Sequence, residues 1–210
     1  MKKIGKLHVL TDIVLQDRFS HVDLTKMAIA GRADTIQFRQ KTGSTREMIE
    51  MAKRMKAICE KAGAAFIVND RIDVAIASDA DGVHLGQDDF PGPLARRLLG
   101  DDKIIGGSAA TVEEARKCVS NGVDYIGFGP VFATTSKDDA GPVSGLTILR
   151  QIVQEIPLPV IAIGGVTVEN TPRVMETGAH GIAVISAVCC QDDPEEATRK
   201  LSEAFNQKRT

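Results

Sequence analysis

Short apolar runs alternate with longer amphipathic stretches from one end of this 210-residue chain to the other, and that rhythm limits the fold more than any other feature. The strand-like runs are Leu7–Leu10, Asp34–Phe38, Ala65–Val68, Asp81–Leu85, Ile104-Ile105, Asp124–Phe128, Val160–Ile163 and Gly181–Ile185. Between and after them, the spacing of apolar residues predicts helices over Leu24–Ala30, Ser44–Ala62, Ile72–Ser78, Pro91–Leu99, Thr111–Val119, Ser144–Glu155, Val168–Thr177 and Pro194–Phe205. Ser44 or Thr45 is available to cap the long helix, and Thr111 with Glu114 has the spacing of a capping box. Eight βα units in a chain of this length predict an α/β fold, a single (β/α)8 TIM barrel spanning residues 1–210 as one domain. A doubly wound open sheet is the alternative, and it usually carries a glycine-rich fingerprint after its first strand, which this chain lacks.

In such a barrel the working residues stand at the C-terminal ends of the strands. Two endings come in quick succession within Phe66–Asp89: one run stops at Asn69-Asp70-Arg71 and the next at Gly86-Gln87-Asp88-Asp89. Asp70 and Asp89 are thereby expected to face each other across a small gap. Hard oxygen ligands from neighbouring strand ends, with room for water and phosphate, suit Mg²⁺. Capping of the following helices is the competing reading for either carboxylate. The second strand ends Gln37-Phe38-Arg39-Gln40-Lys41, where the two-residue period puts Gln37, Arg39 and Lys41 on one face and Phe38 on the other. An amide and two cations aimed into a closed barrel call for an anionic ligand.

The loop after the sixth strand supplies the hydroxyls of Thr134, Thr135 and Ser136 and the ammonium of Lys137, groups that suit phosphate oxygens. Gly164-Gly165 and Ile185-Ser186 follow the last two strands, where many barrels bind phosphate through backbone N–H groups. A tight turn explains the two glycines as well. His84, flanked on its own face by Gly82 and Gly86, has room beside it for a flat ligand, and a hydrogen-bonded core histidine fits the same pattern.

A formal charge of −2 excludes a strong nucleic-acid or anionic-membrane footprint on net charge. No apolar run approaches the roughly 20 residues that span a bilayer, and the N-terminal MKKIGKLHVLTD has no sustained apolar core of a signal peptide. The expected compartment is the cytoplasm. Cys59, Cys118, Cys189 and Cys190 form no CxxC pair and read as buried small side chains.

Several stretches, in this order and spacing, resemble thiamine-phosphate synthases: QFRQK at 37–41, VNDRIDVAIASDADGVHLGQDD at 68–89, GGSAATVEEA at 106–115, YIGFGPVFATTSK at 125–137, PVIAIGGV at 159–166 and GIAVISAV at 181–188. The resemblance implies an enzyme that joins a pyrimidine methyl diphosphate to a thiazole phosphate, releasing pyrophosphate. It implies Asp70 and Asp89 as Mg²⁺ ligands, and Gln37, Arg39, Lys41, Asn69, Ser108 and Lys137 on the pyrimidine diphosphate. Phe38 and Gln40 are expected to contact substrate with the rest of their segment. Thr134, Thr135, Ser136, Gly165, Ile185 and Ser186 would line the thiazole-phosphate site, with His84 and Gly86 beside the pyrimidine. Arg39, Lys41 and Lys137 would neutralise the leaving diphosphate. Its partners are then two small molecules, with a homo-oligomer left open.

The chain departs mildly from that family's pattern at Phe38, Gln40, Ala109-Ala110-Thr111 and Ser136. A tautomerase branch of the same superfamily shares the phosphate loops, but tends to lack the QDD carboxylates and to carry histidine where Pro130 stands. A non-catalytic phosphate-ligand sensor would have no use for both Asp70 and Asp89 beside three cations.

Overall fold

The computed structural model describes residues 4–136 and 141–205. Strands β1 (Leu7–Thr11), β2 (Thr35–Phe38), β3 (Ala65–Asn69), β4 (Gly82–Leu85), β5 (Ile104–Ala109), β6 (Tyr125–Phe128), β7 (Val160–Ile163) and β8 (Gly181–Val184) pair in chain order, all parallel, and β8 closes on β1. Helices α1 (His21–Ala30), α2 (Thr45–Ala62), α3 (Ile72–Ala77), α4 (Gly92–Leu99), α5 (Val112–Ser120), α6 (Gly145–Glu155) and α7 (Thr171–Met175) follow the first seven strands. After β8 come a short α8 (Ser186–Cys189) and then α9 (Pro194–Ala204). This is the predicted (β/α)8 barrel. Among the described residues, no helix is long and apolar enough to cross a membrane.

Parallel strands closed into a barrel are buried on both faces, which is why each reads as a short apolar run. Val9, Ile36, Phe66, Val83, Ile105 and Ile126 face the helices and share one large core with Met48, Met55, Leu149 and Ile152. The alternate positions Leu10, Ile67, Ile104, Tyr125, Ile161, Ala183 and Ile185 fill the barrel's inside. The helix starts follow local chemistry. Ser44 and Glu47 form a reciprocal capping box on α2, and Gly63 ends that helix with φ 72°. Ser20 with Asp23 makes the same box on α1 and starts it three residues before the predicted Leu24.

Other expectations are corrected, and one element was not foreseen. β5 runs on through Gly106, Gly107 and Ser108, because these residues keep pairing with Tyr125, Ile126 and Gly127 of β6. The predicted box at Thr111 is half formed: Thr111 Oγ1 accepts the Glu114 N–H at 3.1 Å, but the Glu114 carboxylate accepts from Ala110 N instead. The helix predicted over 168–177 contracts to α7, since Thr167 and Asn170 form a side-chain-bonded turn ahead of it. α8 had no counterpart in the periodicity, as four residues are too few to show one.

Candidate active site

The C-terminal ends of the strands open onto one mouth with two unlike halves. Over β1–β4 it is charged. Arg39, just past β2, is ion-paired through Nη1 with the buried carboxylate of Asp12, which follows β1. Lys41 is ion-paired with Asp70. Asp70 itself has φ 63°, a left-handed conformation that Asp tolerates better than most residues. Its N–H donates to His84 O at 2.8 Å, which ties the β3 ending to β4.

Asp89 lies in the loop after β4, where its Oδ2 accepts the Gly86 N–H at 2.6 Å. Its carboxyl pKa is raised above the ordinary value, first by desolvation and then by the negative charge and hydrogen bonding of Asp70, against the pull of Gly86 N–H and Lys41. The two carboxylates therefore do converge, as expected. Among the described residues, no group of three or more His, Cys, Asp or Glu side chains could hold a metal, so the candidate centre is this pair. Two mutually repelling hard oxygen donors, with space for water and phosphate to complete the shell, fit Mg²⁺ better than a metal that needs a full protein cage.

Gln37 and Asn69, both buried, stand at the ends of β2 and β3. Among the described residues, Gln37 Oε1 has no hydrogen-bond partner, an exception that asks for a ligand. His84 is the hinge between the halves. Its Nδ1 lies 2.9 Å from the Tyr125 hydroxyl and its Nε2 2.9 Å from Ser108 Oγ. Burial pushes the Tyr125 phenol up, so it stays neutral. The room His84 needs comes from β5 and β6, the next strands of the sheet, rather than from its own strand. A Cβ on Gly106 would sit 2.4 Å from its Nδ1 and one on Gly127 2.9 Å from its Cε1, whereas Gly82 is pressed against Ile104 O.

Over β4–β8 the mouth is a cavity of about 570 Å³. Of the predicted residues, Gly86, Ser108, Thr134, Ser136, Gly165, Ile185 and Ser186 line it. Ser136 Oγ donates to Ser186 Oγ at 2.9 Å, joining the β6 loop to the start of α8. Gly164 and Gly165 have φ 94° and 63°, and a Cβ on either would lie 2.6 Å from Pro130 or 2.4 Å from Ala133 O. They are glycine for conformation and for closeness to that loop.

Three predicted contacts are corrected. Phe38 is 2% exposed and packs edge-on against His21 in the helix-facing core, as its strand parity dictates. Gln40 turns back into its own loop, donating to Thr42 O at 2.8 Å. Thr135 is exposed and not on the cavity wall. Lys137 lies outside the described residues. Conversely, Asp12, Thr167 and Gln191 take part in the mouth, and Tyr125, buried inside the barrel, bonds His84; none of the four had been singled out. Asp12 carried the signal already used for Asp70, a carboxylate directly after an apolar strand.

The fold and mouth are those of a (β/α)8-barrel enzyme. Residues 7–188 match the family described as thiamine monophosphate synthase. The chain is 49% identical over 205 residues to the thiamine-phosphate synthase of Salinibacter ruber, covering 98% of this chain and 90% of that one. It is 50% identical over 203 residues to that of Methanocella arvoryzae, covering 97% and 96%. The solved thiamine phosphate pyrophosphorylase of Pyrococcus furiosus superposes with a TM-score of 0.89 at 42% identity, covering 96% of each chain. The chain belongs to the thiamine-phosphate synthase family.

Proposed function

We propose that this protein joins 4-amino-2-methyl-5-(diphosphooxymethyl)pyrimidine to a thiazole phosphate, giving thiamine phosphate and pyrophosphate. The observation that carries the reading is the convergence of Asp70 and Asp89 beside Lys41, next to a cavity edged by hydroxyls and glycines. The bond between the pyrimidine's exocyclic carbon and the diphosphate oxygen breaks with its electron pair leaving on oxygen. The electron-rich ring delocalises the positive charge, and the thiazole nitrogen's lone pair forms the new C–N bond. No proton need be moved, which suits a mouth of cations and amides. Asp70 and Asp89 would hold Mg²⁺, which supplies charge neutralisation for the diphosphate when bound.

Arg39, Lys41 and Lys137 bind the leaving group and oppose its charge as it grows. Gln37 Oε1 is an acceptor for the pyrimidine's amino group, and Asn69, Ser108 and the His84–Gly86 edge hold the ring. Thr134, Ser136, Gly165, Ile185 and Ser186 hold the thiazole phosphate, so that the rings meet face to face. The whole chain acts as one catalytic domain in the cytoplasm. Pyrophosphate release is measured with both substrates, with Mg²⁺ and with EDTA. Release that needs both substrates and the metal, matched by thiamine phosphate, is expected. No release, with a tautomer shift in the thiazole phosphate alone, would refute the synthase reading.

A further inference from the structure

We infer that Asp12 is a positioning residue for Arg39, turning the guanidinium so that its Nε–Nη2 edge is offered to the diphosphate; this rests on the role proposed above for Arg39. The Asp12 side chain is 1% exposed and that of Arg39 11%. Both Asp12 oxygens are committed. Oδ2 takes Arg39 Nη1, while Oδ1 accepts the N–H groups of Val14 at 2.8 Å and Leu15 at 3.2 Å. The carboxylate is thereby held by the turn that follows β1, and the guanidinium is held by the carboxylate.

A planar guanidinium gripped at Nη1 keeps one side-on pair of donors, Nε and Nη2, in the geometry that matches two oxygens of a phosphate. Among the described residues, Arg39 Nε is buried and has no partner. A donor left so is unfavourable unless a ligand meets it. An ion pair serving only to hold the fold would have no reason to leave the Nε donor unmet. The buried polar set extends behind it: His21 Nδ1 lies 2.7 Å from the hydroxyl of Thr11, the residue before Asp12.

The test uses Asp12→Asn, Arg39→Gln and the double variant. Asn keeps the shape but has one carbonyl acceptor, so it can hold the turn or the guanidinium and not both. Steady-state kinetics are read together with calorimetric binding of inorganic pyrophosphate in Mg²⁺. Asp12→Asn is expected to raise the KM for the pyrimidine diphosphate and the Kd for pyrophosphate at least about tenfold, with the thiazole-phosphate KM within about twofold. It should add little to Arg39→Gln, because the two act as one unit. Equal losses toward both substrates, or a loss that adds in full to Arg39→Gln, would overturn the inference. If Asp12→Asn does not fold, Asp12→Glu, with the charge moved by one methylene, is read in the same cycle against the same outcomes. A wild type that binds pyrophosphate but makes no thiamine phosphate would sink the proposed reaction, and the pyrophosphate cycle would still decide on Asp12.

Discussion

Gly165→Ala tests whether the glycine loop is shaped by the β6 loop it touches. At φ 63°, alanine meets the left-handed penalty, about 1–2 kcal/mol. Its Cβ would also fall 2.4 Å from Ala133 O and 2.8 Å from Phe132 Cβ. Relieving such overpacking costs about 1–3 kcal/mol more, because the loop must give way. Gly63 is the control, with φ 72° and no atom within 4 Å of the added Cβ, so Gly63→Ala meets the backbone term alone. At the midpoint shift typical of a chain this size, differential scanning calorimetry should show a drop of roughly 10 °C for Gly165→Ala and roughly 4 °C for Gly63→Ala. The displaced loop carries Thr134 and Ser136, so the thiazole-phosphate KM should rise in Gly165→Ala and not in Gly63→Ala. Equal melting points for the two variants would refute the close-approach argument.

Two further outcomes follow from the charges. Desolvation and Asp70 raise the Asp89 pKa, so without a cation this carboxylate favours the fold when protonated and opposes it once pH rises through its folded pKa. Asp89→Asn should therefore melt higher than wild type at neutral pH in EDTA, lose that advantage in Mg²⁺, and have no turnover; a lower melting point in EDTA would contradict the carboxylate repulsion. His8 is driven by burial from 6.5 to about 4, against the weaker opposing pull of Gly5 O and Asp34. The unfolded chain takes up its proton first, so stability is intact above pH 6.5 and falls toward pH 4, by roughly 3 kcal/mol when complete. His8→Gln should flatten urea-derived stability over that range, and an unchanged slope would exclude His8 as a source.

The barrel was legible because its strands are buried twice over, so burial alone writes short apolar runs between amphipathic helices. Strand ends were less so. Ile104-Ile105 looked complete, yet Gly106 to Ala109 belong to β5 because β6 offers them partners, and no property of those residues alone announces that pairing. The site shows the same division. Alternation along β2 already put Phe38 opposite Gln37 and Arg39, and the structure follows the parity; the family likeness, which covers the whole segment, drew Phe38 and Gln40 into the contact set where their side chains do not go. A carboxylate ending a strand marked Asp70 and Asp89 and marked Asp12 equally, but Asp12 commits its oxygens to Arg39 and to the turn after β1, a pairing that appears only when β1 and β2 lie side by side.

His84 makes the point most sharply. Its own strand suggested open space beside Gly82 and Gly86, while the space it uses was made by Gly106 and Gly127, on β5 and β6, which strand pairing brings beside it. Tyr125 then takes one nitrogen and Ser108 the other, so the ring is locked before any substrate arrives. Bonds on both nitrogens fix the plane of the ring, so that His84 stands as a wall of the site. In the reaction proposed above no proton needs a carrier, and a ring of fixed plane would serve to align the substrate rings.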